Sequence, residues 1–193
     1  MVRKYSADLL DDCVAVLADA FVTNPLHVSA FGSGRMDQNR LFFRIGLRHM
    51  FVGQAFVALV DGTMGGFLHF NAWPKCLPAP EEVPLAAATV LKPLGEAIPN
   101  LIRWFSCWCH GDPEEPHFHL GPIGVAPAMQ GQGIGTVLMQ RYIEHLDREG
   151  VAGYLETDRP KNVEFYKKFG FKVEREENII GAPTWSMWRR SGG

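Results

Sequence analysis

No uncharged apolar run in this chain approaches the length of about 20 residues that a membrane span needs. The opening stretch, MVRKYSADLLDDCVAVLADAF, carries acids through its apolar section and lacks a small-residue cleavage site, so it does not read as a signal peptide. Neither sign of charge dominates. The 19 Lys and Arg residues against 21 Asp and Glu residues leave a formal net charge of -2, which supplies neither the basic field of nonspecific nucleic-acid binding nor an acidic tail. Cysteine is scarce as well, and the irregular spacing of the four does not resemble a disulfide framework. Internal repeats and low-complexity segments are missing. These absences point to a reduced, cytoplasmic protein whose partner is a small molecule or another protein, with no nucleic acid and no membrane.

What is present is a hydrophobic fraction of 47% over 193 residues, enough for one globular domain, 1–193, with a sizeable core. Leu9, Leu10, Val14, Leu17, Ala18 and Phe21 recur at helical spacing behind a Ser6 or Asp8 cap, and Asn24-Pro25 ends that helix. A second helix is expected from about Met36 to Phe51. QAFVALV and GGFLHFNA flank Asp61-Gly62 as an antiparallel hairpin. The segment 73–115 is looser, with a helical stretch near Leu85 to Leu94 and the aromatic run LIRWFSCWCHGDPEEP. So long an interruption implies a use, here a contribution to an acceptor pocket. HFHLGPIGV is a strand whose glycines and proline predict a bulge or splayed pairing. A helix marked by Ile134, Leu138, Tyr142 and Leu146 follows, stopped by Gly150. After it come the strand VAGYLET, a short helix from Pro160, the β pattern FKV and a last strand TWSMWR.

QGQGIG, Gln130 to Gly135, places three alternate glycines between a strand and a helix. Free N–H groups and the positive end of a helix dipole make such a loop an anion site. A Walker loop is excluded because Thr136 and Val137, not Lys-Ser/Thr, follow Gly135. A dinucleotide fingerprint fails because threonine stands where its last glycine or alanine should, and too few residues follow Glu156 to complete a doubly wound half.

IGVAPAMQGQGIGTVL, with its Gln130-x-x-Gly133-x-Gly135, and YLETDRPKNVEFYKKFGFKV resemble the GNAT superfamily of acyl-CoA-dependent N-acyltransferases. The resemblance covers nearly the whole chain. LET, RPKNVEFY and TWSMWRR look like the branch that includes puromycin-type and related small-amine acetyltransferases. It implies an α/β (α+β) fold, a single domain with a mixed, splayed central sheet flanked by helices. It implies acetyl-CoA as acyl donor and no metal. The pyrophosphate of coenzyme A would lie on backbone N–H groups of Gly131, Gln132, Gly133, Ile134, Gly135 and Thr136, behind Gln130. The pantetheine arm would pair with Ile123, Gly124 and Val125. Tyr166 matches the family's acid for the departing thiolate, and Asn162 would bond the pantetheine or a phosphate. Many members carry that asparagine seven residues before the tyrosine, where Arg159 stands here.

Two residues compete as general base. Glu156 matches a position that serves as base in some members, its bland alternative being an ion pair with Arg159. Strand alternation puts His117, His119, Gly121 and Ile123 on one side if no bulge intervenes, so His119 is the rival. The N–H of Ile123 would polarise the carbonyl oxygen. Cys107, Cys109 and His110 form C-x-C-H, one ligand short of a structural zinc site, and an aromatic helix is the better reading. Trp104 and Trp108 either pack in the core or line the acceptor pocket. The expected activity is acetylation of a small primary amine by a monomer or homodimer. The alternatives are acetylation of a protein or peptide amine, and a silent acyl-CoA sensor.

Overall fold

Strand β3 (Thr63–Ala72) buries Phe67 on one face and Leu68 and Phe70 on the other, so the sheet it belongs to has to be covered on both sides. The computed structural model describes residues 1–192 and shows how. Seven strands form one mixed sheet in the order β1-β2-β3-β4-β5-β7-β6, with β1 Val2–Lys4, β2 Gln54–Val60, β4 His117–Val125, β5 Ala152–Thr157, β6 Lys172–Ile179 and β7 Ala182–Arg189. All neighbours are antiparallel except β4 and β5.

One face carries helices α1 (Leu10–Phe21), α2 (Pro25–Phe31), α3 (Met36–Ile45), α4 (Val83–Val90) and α5 (Ile98–Gly111), whose buried residues join Val57 and Phe67 in one core. The other face carries α6 (Ile134–Glu149), which lays Ile134, Leu138, Tyr142 and Leu146 over Leu68 and Phe70 at the expected helical period. Helix α7 (Pro160–Lys167) contributes Val163 and Tyr166 to the same core. No single helix among the described residues is long and apolar enough to cross a membrane.

Three details differ from the sequence expectation. The helix expected to reach Phe51 is α-helical only to Ile45 and continues as a π-helical turn, Gly46–Met50, with the Phe51 ring folded back over Gly46. Asn24-Pro25 ends one helix and also starts another: the Asn24 side chain accepts from the His27 N–H, capping α2. The 73–115 segment is largely helical, and Leu91, Leu94, Leu101 and Trp104 are built into the core.

Candidate active site

Gly131 and Gly133 have φ of 79° and 83°, the left-handed region that only glycine enters at little cost. Their turn delivers the chain to the start of α6, where no side chain caps the helix. Gln130 and Gln132 fold back onto the carbonyls of Val125 (3.2 Å) and Ala128 (3.3 Å), so neither side chain covers the N-terminal N–H groups. A Cβ on Gly135 would stand 3.6 Å from Phe165 and 3.7 Å from Val125, which places the loop, the end of β4 and α7 side by side. Free N–H groups and a helix dipole there suit an anion.

The chain order of β4 and β5 opens the sheet beside this loop. They pair only from His117 to His119 against Ala152 to Tyr154, although β4 runs on to Val125 and β5 to Thr157. The cause lies in β4. His69 alone faces Gly121 and Pro122 in a bulge between the pairs Leu68–Ile123 and Phe70–Leu120, and proline has no N–H to pair. A Cβ at position 121 would lie 2.6 Å from Nδ1 of His69, so the bulge needs glycine there. Beyond His119 the edge of β4 that carries Ile123, Gly124 and Val125 therefore has no strand beside it on the β5 side.

Inside this splay, His119 Nε2 lies 2.7 Å from Glu156 Oε2 and its Nδ1 lies 2.9 Å from Asp112 Oδ1. Both ring nitrogens are thus engaged by carboxylates. Burial disfavours the imidazolium, but Glu156 and Asp112 outweigh it and raise His119 to about 10. Burial also works to raise Asp112, while the imidazoles of His117 and His119 bring it down to about 2. The second oxygen of Glu156, Oε1, is buried and has no hydrogen-bond partner among the described residues. Arg159 instead donates to Thr23 Oγ1 at 2.9 Å, so the Glu156–Arg159 ion pair does not form.

A cavity of about 430 Å³ opens beside His119 and Glu156. Its floor includes Leu120 to Ile123 and Glu156 to Asp158, and Asn162 and Tyr166 stand at one side. The Tyr166 hydroxyl makes no hydrogen bond to another described residue, and burial, then the charge of Asp158, push its pKa well up. The ring packs against Phe165 and Phe171. The opposite wall is aromatic, with His27, Phe42, Phe43, Trp104, Phe105 and Trp108. Trp104 and Trp108 belong to core and cavity at once. Each packs against the rings around it, lines the space, and keeps a buried Nε1–H without a partner. His27 bonds Asn39 Oδ1 at 2.7 Å and stacks on Phe43, and burial drives it down to about 3.

The structure therefore gathers Glu156, His119, Ile123, Asn162 and Tyr166 around one space. Sequence reading missed Asp112, which faces His119 from the end of α5, and His69 in the bulge. The dense HGDPEEPHFH stretch was the signal for the first, and nothing local marked the second.

The model of the acetyltransferase (GNAT) family matches residues 29–171. A mycothiol acetyltransferase of Nocardia farcinica is 35% identical over 65 residues, 32% of this chain but only 22% of that protein. Among solved structures, a histone acetyltransferase HPA2 and related acetyltransferase from Corynebacterium glutamicum superposes with a TM-score of 0.74 at 18% identity, covering 100% of this chain and 97% of the other. A GNAT family acetyltransferase from Brucella melitensis in complex with acetyl-CoA superposes at 0.55, also at 18% identity, with 100% and 88% covered.

Proposed function

The chain belongs to the acetyltransferase (GNAT) family, an acyltransferase family whose members use acetyl-CoA as co-substrate, and from that premise we propose that it acetylates the primary amine of a small molecule with Glu156 as base. The observation that carries the proposal is the partnerless Oε1 of Glu156, a buried carboxylate oxygen in the wall of an aromatic cavity. An ammonium group entering the cavity would find there an uncommitted anionic acceptor, with indole faces to stabilise the cation. The LET, RPKNVEFY and TWSMWRR segments support the small-amine branch.

The steps follow from placement. Pyrophosphate lies on the Gly131–Thr136 loop, and pantetheine runs along Ile123 to Val125 with Asn162 beside it. Glu156 Oε1 takes the proton of the amine, whose nitrogen lone pair attacks the thioester carbonyl. The N–H of Ile123 holds the developing oxyanion. As the C–S bond breaks, the thiolate takes a proton from the Tyr166 hydroxyl, and the second proton shed by the amide nitrogen restores the tyrosine. His119 has no free lone pair, since carboxylates engage both its nitrogens, so it is a positioning residue that orients Glu156. The 73–115 segment, through Trp104 and Trp108, selects the acceptor.

Free thiol release on mixing acetyl-CoA with a panel of small amines tests the proposal. Release with polar or aromatic small amines supports it. Release only with peptide amines moves the acceptor to proteins, and coenzyme A binding with no release from any amine makes the protein a sensor.

A further inference from the structure

At the paired end of β4, Cys76, Asp112, His117 and His119 bring one ligand atom each to within 4.8 Å of one another. They come from four places: the loop after β3, the end of α5, and two alternate positions of β4. From this convergence we propose that Cys76 Sγ, Asp112 Oδ1, His117 Nε2 and His119 Nδ1 bind a zinc-class divalent ion, a site that the C-x-C-H motif of α5 did not disclose.

The separations around His117 match those of ligands held by one metal ion. A tetrahedral zinc ion with bonds of about 2.0–2.3 Å holds its ligand atoms about 3.3–3.6 Å apart. His117 Nε2 stands 3.4 Å from Asp112 Oδ1 and 3.5 Å from Cys76 Sγ. The first of these is longer than an N–H···O bond normally spans. His119 Nδ1 to Asp112 Oδ1, at 2.9 Å, needs to open by only a few tenths of an ångström.

The outer contacts aim the ligands. His117 Nδ1 lies 2.8 Å from the Glu115 carbonyl, which fixes the proton on Nδ1 and leaves the Nε2 lone pair facing the cluster. His119 has the complementary arrangement. Its Nε2–H donates to Glu156, leaving Nδ1 to face inward, so a carboxylate backs the imidazole as it does in many histidine–metal sites. The Asn71 amide donates to the Cys76 carbonyl at 3.0 Å and holds the cysteine loop in place. Tyr154 and Trp188 rings close the space around His117. One thiolate, two imidazoles and one carboxylate form a closed, borderline-soft donor set, which selects zinc-class ions over magnesium or calcium.

Binding sends the Cys76 thiol proton and the Nδ1 proton of His119 to solvent, and both histidines ligate as neutral imidazoles. The ion would tie the cysteine loop and the end of α5 to β4, and would hold Glu156 in register through His119. Metal binding at these four residues does not depend on which amine the cavity accepts.

Chelator-stripped protein titrated with Co²⁺ gives the test. The expected result is about one equivalent bound, with tetrahedral d–d absorption and a thiolate-to-cobalt charge-transfer band, both displaced by Zn²⁺. Cys76→Ser should abolish the charge-transfer band, and His117→Gln should weaken binding at least about tenfold. The double variant Cys107→Ser/Cys109→Ser should keep the parent spectrum. Circular dichroism shows whether each variant is folded, and the parent titration stands alone if one is not. No cobalt uptake by the parent, an unchanged band in folded Cys76→Ser, or loss of the band only in the double variant overturns the site.

Discussion

The carboxylate of Glu156 is divided: Oε2 is held 2.7 Å from His119 Nε2, while Oε1, in the same buried group, has no hydrogen-bond partner among the described residues. One oxygen is held in place and the other is open to a proton. Glu156→Gln keeps the shape and removes the basicity, so kcat should fall by about 10²-fold. The loss should be greatest at low pH and shrink as the amine begins to deprotonate unaided. A pH–rate profile of parent and variant checks this, and a uniform or absent loss would move the base elsewhere.

Tyr166→Phe should separate acid catalysis from packing. Since the hydroxyl makes no hydrogen bond to another described residue and the ring is held by Phe165 and Phe171, stability and acetyl-CoA binding should be near normal. An acid role predicts a kcat lower by about 10²-fold, with a smaller defect for acyl donors whose thiol leaves more readily. Parent-like turnover would make the tyrosine structural.

Gly135 separates cofactor contact from loop geometry better than Gly133. Valine at 133 would have to adopt a φ of 83°, whereas a side chain at 135 meets its protein neighbours at 3.6–3.7 Å. Gly135→Val should therefore fold, yet bind coenzyme A at least about tenfold more weakly because the branched chain stands over the helix N-terminus. Coenzyme A should raise the Tm of the parent with concentration, NAD should not, and the variant should lose the shift.

Trp104 and Trp108 should respond differently. Trp104 is 3% exposed and stacks on Phe42 and Phe105, so Trp104→Ala should cost about 3–5 kcal/mol of stability. Trp108 is only partly buried against that core. Trp108→Phe should stay folded and raise the amine KM several-fold while leaving acetyl-CoA affinity unchanged. Steady-state kinetics with each substrate varied in turn provide the measurement.

His27 gives the stability a pH dependence of known sign. Its folded pKa of about 3 lies below the unfolded value of 6.5. Above the unfolded value it is neutral in both states and has no effect. As pH falls below that, only the unfolded chain takes up the proton, so stability should drop by about 1.4 kcal/mol per pH unit until the folded pKa is reached. Urea denaturation at pH 7 and pH 5 should show this slope reduced by about that amount in His27→Gln.

Local chemistry made much of this protein legible in its sequence. Gly131 and Gly133 announce a left-handed turn, the period of Ile134, Leu138, Tyr142 and Leu146 announces the helix behind it, and Gly121-Pro122 announces a strand that cannot pair evenly. Each signal is written within a few residues, because backbone conformation and one-sided burial are local demands. The three-residue strand β1 and the seven-residue helix α2 were missed, each too short to show its period. The site chemistry was not local either. His119 meets Asp112 across seven residues of chain and Glu156 across 37, and His117 meets Cys76 across 41. That Glu156 faces His119 and not Arg159, and that Trp104 serves core and cavity together, depended on how β4 parts from β5 after His119 and on where α5 packs. Only the folded chain sets those, because side-chain partners are chosen by distance in space, and the protonation and reactivity of a buried group follow from the partners it is given.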